Sequence, residues 1–350
     1  MGWAVNKNDD TAIAASQTEA LSRYFARAVQ VGTAFAKFVA TIAVTFLGLA
    51  ALTFFIGRVV PIDPVLAMVG DRASNEVYEA AKIEMGLDRP IPLQFVSYIW
   101  DVLNGNFGLS ISTRQPVIED LIRVFPATLE MATLGIIIGI VIGVPMGVTA
   151  AAHRGSWLDQ VIRTVGLLGY SIPAFWLGLV GLAIFYARFR WTGGPGRIDV
   201  FFDGMIPPVT GMLLIDTLIA GEIDVFWNAV SHLVLPATIL GFFSLAYIAR
   251  MTRSFMLDQL SQEYVTTARV KGVPEFFVIW RHAFKPIRIQ LITVISLSYA
   301  GLLEGSVMIE TIFSWPGIGN YLTTALLNAD MNAVLGSTLV SPGSTSVSKN

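Results

Sequence analysis

Met131-Ala-Thr-Leu-Gly-Ile-Ile-Ile-Gly-Ile-Val-Ile-Gly-Val-Pro-Met-Gly-Val-Thr-Ala-Ala-Ala152 carries no charged side chain and ends at His153-Arg154. As a helix this stretch is about 33 Å long, enough to cross about 30 Å of hydrocarbon. Lipid offers the backbone no hydrogen-bond partners, so the stretch crosses as a helix and not as an isolated strand. Four more stretches read the same way. Residues 38–57 lie between Lys37 and Arg58, and 164–187 run charge-free to Arg188. Residues 225–249 run charge-free to Arg250, with the helix expected to start near His232, and 289–309 carry Glu304 as their single charge. The reading is an all-α membrane protein, a polytopic helical bundle with five secure spans.

Composition agrees. Of 350 residues, 54% are hydrophobic and 14% charged, against about 25% charged in soluble domains. A net charge of −2 gives no reason to expect nucleic acid, and the absence of cysteine excludes disulfides and thiolate metal sites. Residues 1–37 are mixed and polar, unlike a secretory leader. They read as a cytoplasmic tail with an amphipathic stretch near residues 21–30. With that end inside, the inner pieces (the tail, 152–163 and 250–288) hold four, two and seven Lys/Arg. The longer outer pieces, 58–130 and 188–224, hold six and three, so basic density favours this orientation.

The outer insertion, 58–130, is expected to contain two helices. One is capped by Ser74-Asn75 and stopped by Gly86; the other covers residues 91–103, with Leu93, Val96, Ile99 and Trp100 at helical spacing. Both are expected to pack on the outer mouth of the bundle. The second outer segment is rich in turn formers, and its apolar part, 211–220, is too short to span. Trp191, Trp227 and Trp315 fall near span ends and read as headgroup anchors.

The inner segment 250–288 is the most informative. Residues 258–270 predict one amphipathic helix with an apolar face of Tyr264, Val265 and Ala268, closed by Gly272 and Pro274. Its residues allow two readings: a handle for a soluble partner, or a basic helix resting on anionic lipid.

At this point the chain resembles the permease subunits of ATP-binding-cassette importers of dipeptides and oligopeptides. The generic coupling motif of that superfamily is degenerate here, reading Thr266-Thr267-Ala268 before Gly272. The peptide-permease variant is matched by Tyr264 and Thr267-Ala268-Arg269-Val270-Lys271-Gly272, continued by Trp280-Arg281-His282-Ala283. Eight further signatures follow in order: Pro61-Ile-Asp-Pro64, Gly86-Leu-Asp-Arg-Pro90, Asn106-Phe-Gly-Leu-Ser110, Phe125-Pro-Ala-Thr-Leu-Glu130, Gly155-Ser-Trp-Leu-Asp159, Ser171-Ile-Pro-Ala-Phe-Trp-Leu-Gly178, Leu235-Pro-Ala-Thr238 and Glu310-Thr-Ile-Phe-Ser-Trp-Pro-Gly-Ile-Gly319. The sixth of these breaks the third span.

The resemblance implies an inner-membrane transport subunit that is not itself an enzyme. Its partners would be a second permease of the same kind, two cytoplasmic ATP-binding subunits, an external peptide-binding protein and membrane lipid. ATP and Mg would be bound by the partner ATPases. No Gly-x-x-x-x-Gly-Lys-Ser/Thr loop occurs in the chain, in keeping with a borrowed ATPase. ATPase coupling would fall on Glu263, Tyr264, Thr267, Ala268, Arg269, Lys271 and Gly272.

Candidates for the translocation path are Glu304, Pro173 and Pro236: an intramembrane charge usually faces a cavity or partner, and prolines free a carbonyl and bend a helix. Glu304 also reads as a hydrated residue near the end of its span. Glu130 and Glu310 read as caps or loop anchors, and His232 as a hydrogen-bonded interface residue. The same architecture would also suit metal chelates, glutathione or other peptide-like solutes. A stand-alone ion-coupled carrier would need paired intramembrane charges, and only Glu304 offers one. A sixth span is implied, but residues 331–340 give about 15 Å of helix, and 341–350 are a polar, non-spanning tail. The sixth helix is therefore expected to be truncated, which keeps a non-functional permease among the readings. The permease domain thus covers 38–340.

Overall fold

The structure, a computed structural model, describes residues 29–30, 32–48, 50–52, 54–55, 64–70, 72–84, 86–328 and 330–346. Most of the expected tail, the end of the first span and Pro61-Ile-Asp lie outside the described residues. The chain divides into two units at Phe55. The first holds helix α1, Gly32–Leu52, which is apolar enough to span. Its hydroxyls are satisfied along the helix, as Thr41 and Thr45 donate to the carbonyls of Lys37 and Thr41.

Among its described residues the second unit has helices as its only regular elements, joined by turns and loops, with one isolated bridge, Leu109 with Pro116. Three short helices come first: α2 (Pro64–Val69), α3 (Asn75–Glu84) and α4 (Ile91–Leu103). The bundle follows. It comprises α5 (Val117–Ala152), α6 (Trp157–Ser171), α7 (Ala174–Gly181, continued by a π-helical turn Leu182–Arg188), α8 (Leu213–Ala220) and α9 (Ile223–Leu260). Then come α10 (Glu263–Val270), α11 (Glu275–Phe277), a π-helical turn Val278–Ala283, α12 (Phe284–Ile312), α13 (Ile318–Leu327) and α14 (Met331–Ser346). Among the described residues four helical runs can cross a membrane, and a fifth if α6 and α7 form one bent crossing. These are the five stretches read from the sequence.

Several boundaries differ from expectation for local reasons. The third crossing bends by 100° between α6 and α7. Pro173 has no N–H to give Gly169 and drives Ile172 to an extended ψ of 124°. The fourth helix starts at Ile223, not near His232, because left-handed Gly221 (φ 76°) ends α8 and the chain restarts at once. The last helix does not stop at Val340 but continues to Ser346, through Pro342 and Gly343. Side-chain polarity governs which medium a helix tolerates, whereas its continuation depends on backbone bonding. Sixteen residues still reach only about 24 Å.

The bundle is organised by α5 against α9. Gly135, Gly139, Gly143 and Gly147, four residues apart, form one stripe of α5 and face Leu240, Ser244, Leu245 and Ala249 in turn. The paired numbers rise together, so α5 and α9 run parallel. Missing side chains let the two backbones approach as they do in small-xxx-small membrane packings. A Cβ at Gly147 would stand 2.5 Å from the Ala249 carbonyl oxygen and 2.6 Å from Thr252 Cβ, and a backbone oxygen cannot step aside. Gly147→Ala is therefore expected to destabilise the bundle by about 1–3 kcal/mol, read as a lower midpoint of thermal unfolding in detergent. Gly301→Ala, where nothing lies within 4 Å, is the control.

The expected packing of α4 is corrected. Leu93, Val96 and Trp100 are 57–67% exposed, and Val102 is the buried residue of that helix. What docks the insertion is the segment after α4. Ser110 Oγ donates to Asp330 at 2.6 Å and the Ser112 amide to the same oxygen at 3.0 Å, while Asp330 also caps α14 through the Ala333 amide at 3.2 Å. Asp120, fully buried, accepts from Tyr321 at 3.1 Å and pairs with Thr113 and Arg123.

Candidate functional site

The segment 258–270 is two helices, not one. Ser261 Oγ turns back to the Asp258 carbonyl at 2.8 Å, and Gln262 takes an extended ψ of 149°, so α9 ends at Leu260 and α10 starts afresh at Glu263. Val265 and Ala268, three apart and hence on one face, are 0% and 7% exposed, and they join the main core beside Met256, Val278, Ala283 and Ile287. Tyr264 belongs to the exposed side, which corrects the expected apolar face. Its hydroxyl donates to Gln259 at 2.7 Å, and partial burial raises its pKa.

The far end of α10 closes in a Schellman motif. The Val273 amide reaches the Ala268 carbonyl at 3.2 Å and the Gly272 amide reaches Arg269 at 2.9 Å, with Gly272 at φ +75°. Val273 packs against the same core as Ala268, the hydrophobic contact that accompanies this closure. Arg269 forks onto Glu275 at 2.7 and 3.2 Å, and that hydrogen bonding holds the guanidinium pKa up. Both side chains are about half exposed, so the pair orients the loop and contributes at most about 1 kcal/mol. Glu263, Tyr264, Thr267, Arg269, Val270 and Lys271 all face outward, with Val270 83% exposed. A short helix thus rests on two apolar pegs and presents everything else.

At the opposite end of the bundle two quoted signatures meet. Glu310 is fully buried. Its Oε1 accepts from Thr128 at 2.8 Å and Ser306 at 2.9 Å, and its Oε2 from the Gly319 and Asn320 amides at 2.6 and 3.1 Å. Those amides are in the first turn of α13, where a carboxylate is favoured. Thr128 in turn accepts from the Ile318 amide at 2.9 Å, and Trp315 Nε1 donates to the Ala127 carbonyl at 2.9 Å. Trp315 is 1% exposed, with the Arg197 guanidinium 5.6 Å from its ring, so it is a core residue and not a headgroup anchor. Trp191 and Trp227 stay 70% and 63% exposed, as anchors would. Glu130 pairs with Arg197 and accepts from the Leu214 amide at 2.7 Å. Both glutamates thus have the geometry of loop anchors.

His232 is buried and hydrogen-bonded through Nδ1 to the Gly194 carbonyl at 2.9 Å and through Nε2 to Asp199 at 3.3 Å. The path candidates lie on three helices. Glu304 is exposed on α12, Pro173 is exposed at the start of α7, and Pro236 is buried inside α9. Asp159 and Arg253, which the sequence did not single out as a pair, form a two-pronged ion pair at 2.5 and 2.9 Å.

Residues 143–346 match the family described as binding-protein-dependent transport system inner membrane component, and residues 34–132 match its N-terminal membrane component. Relatives share similar lengths. The probable D,D-dipeptide transport system permease protein DdpB of Escherichia coli (strain K12) is 40% identical over 295 residues, 84% of this chain and 86% of that protein. The di/tripeptide transport system permease protein DppB of Pseudomonas aeruginosa (strain UCBPP-PA14) is 42% identical over 83% of this chain and 86% of its own. The dipeptide transport system permease protein DppB of Escherichia coli (strain K12) is 42% identical over 85% and 88%. With a helical bundle of membrane-crossing length behind both matches, the chain belongs to the binding-protein-dependent transport system inner membrane components.

Proposed function

We propose that this chain is the permease subunit of an ATP-driven importer of di- and oligopeptides. It forms half of the translocation pathway, beside a second permease of the same kind. Two cytoplasmic subunits bind ATP and Mg and supply the energy, while an external binding protein delivers the peptide. The chain itself does no covalent chemistry. α10 faces the cytoplasm and α13 the outside, with residues 1–37 inside.

The observation that carries this reading is α10. Two buried pegs, Val265 and Ala268, tie it to the core, while its charged and hydroxyl side chains and Val270 are presented to whatever lies beyond. A push on such a helix is passed to α9, α12 and the turn between them. The parallel course of α5 and α9 fits alternate crossings in this orientation, and the peptide names of the relatives support the substrate class. Glu304, exposed on α12, lines the path, with Pro173 at the bend between α6 and α7 and Pro236 inside α9 as the other candidates. A lipid-facing carboxylate there would cost about 2.5–3.5 kcal/mol, which favours a watered face.

Purification through a tag on this chain tests the reading: an ATP-binding subunit and a second permease are expected to accompany it. Cells carrying that complex should accumulate labelled di- and tripeptides. A chain that purifies alone, or uptake unchanged by its deletion, would overturn the proposal.

A further inference from the structure

The Gly155–Asp159 signature has a partner that the assignment of α10 leaves unused. Ser156 caps α6 by accepting the Asp159 amide at 3.2 Å, and the Asp159 carboxylate returns to the Gly155 amide at 3.0 Å. The same carboxylate takes both prongs of Arg253 on α9. Asp159 is 2% exposed and Arg253 20%. Seven residues beyond Arg253, about 10 Å along the helix, α9 ends and α10 begins.

From this fork α6 lies along α9 for its whole length. Ile162 shares a core cluster with Ala249, and Gly166 and Gly169 pack on Ala246. On α6 the numbers rise as on α9 they fall, so the helices are antiparallel and in fixed register. Beyond the bend, α7 rests elsewhere: Gly178 meets Ile312 and Phe313, and Gly181 meets Leu235 and Ile239. One helix therefore rides on the α10 end of α9, and its continuation is seated on α12 and the far half of α9. Between them stands the proline break.

We propose that Asp159 and Arg253 are a positioning pair for transport: they make α6 follow α9, so that a displacement of α10 is delivered to the bend at Ile172-Pro173. A buried ion pair adds little net stability against apolar groups of the same size, and fixing register is its best-attested use. Without the fork, α6 keeps its apolar contacts with α9 at Ile162, Gly166 and Gly169, which fix position along the axis less firmly than a directional ion pair. The proposal rests on α10 receiving the ATPase stroke.

The test uses the intact complex in proteoliposomes, with ATP hydrolysis and peptide uptake measured together. Asp159→Asn with Arg253→Gln removes both charges at once, avoiding a stranded buried cation. Assembly and basal hydrolysis are expected to persist while peptide imported per ATP falls about tenfold, a typical size for coupling between sites. Because the chain has no cysteine, Ile162→Cys with Ala249→Cys can be bridged by a short bis-thiol reagent. The bridge should leave uptake intact in the otherwise native chain and restore it in the neutral pair. An unchanged import-to-hydrolysis ratio in the neutral pair, or uptake abolished by the bridge, would overturn the proposal. An Ala268→Glu arm separates the two levels. If it uncouples and the neutral pair does not, only the fork is wrong; if it also leaves the ratio unchanged, the α10 assignment falls.

Discussion

Replacing Glu310 with alanine is expected to cost about 3–5 kcal/mol and to leave little folded protein in the membrane fraction. Four donors converge on this carboxylate: two hydroxyls, from Thr128 and Ser306, and two amides at the start of α13. The hydroxyls can rotate toward other acceptors, but the amides of Gly319 and Asn320 are fixed by the helix. Each buried donor left without a partner costs about 1–3 kcal/mol, and α13 also loses the acceptor that closes its N-terminus. Glu310→Gln keeps the shape and one oxygen but turns an NH2 toward donors, so it should fall between alanine and the native chain. Resistance to thermal unfolding in detergent, followed by retention of soluble material, gives the order Glu, Gln, Ala. Equal stability of all three would show that the carboxylate anchors nothing.

Val265→Asp is the second substitution with a large effect, and it strikes function before topology. Val265 is fully buried beneath α10, in the cluster that includes Val278, Ala283 and Ile287. Those neighbours are apolar, and an unpaired carboxylate forced among them costs at least ~3 kcal/mol. The nearer escape is for α10 to lift, because only two pegs hold it. Insertion of the spans does not depend on those pegs. The expected result is a chain still present in the membrane that transports at background rate and no longer retains the proposed ATP-binding subunits. Thr266→Ala, at an exposed position of the same helix, should change stability by less than about 0.5 kcal/mol. A Val265→Asp chain that keeps the ATP-binding subunits and uptake would remove the basis for assigning α10.

Spans were legible because lack of charge over some twenty residues has few explanations in water or lipid. α3 and its stop at Gly86 were legible from capping and turn chemistry, and α4 from the helical spacing of its apolar residues. The break at Ser261-Gln262 was not, since both residues tolerate a helix and the break shows only where their side chains turn back to the Asp258 carbonyl and Gln262 becomes extended. Trp315 was misread because its distance from the span end along the chain says nothing of the fold-back at Phe313 and Ser314 that carries it inward. The Asp159–Arg253 and Asp120–Tyr321 contacts join positions 94 and 201 residues apart, beyond any periodicity. Gly135, Gly139, Gly143 and Gly147 were a visible signal that went unused: four glycines at fourfold spacing announce a packing seam before its partner is known. Of the candidate site, the residues of α10 were readable, but which of them point inward depended on where the helix began.

The knot around Glu310 also sets an order for biogenesis. Thr128 and Glu310 are 182 residues apart in the chain, a delay of roughly 10–35 s at the usual pace of synthesis. Throughout that interval α5 sits in the membrane with the hydroxyl of Thr128 and the carbonyl of Ala127 unclaimed by their later partners. Docking of the loop from Phe313 to Asn320 is thus a late act, available only once the chain through Asn320 has left the ribosome. A nascent chain arrested before Asn320 should keep its crossings yet expose the end of α5 to added protease, and release of the full chain should withdraw it.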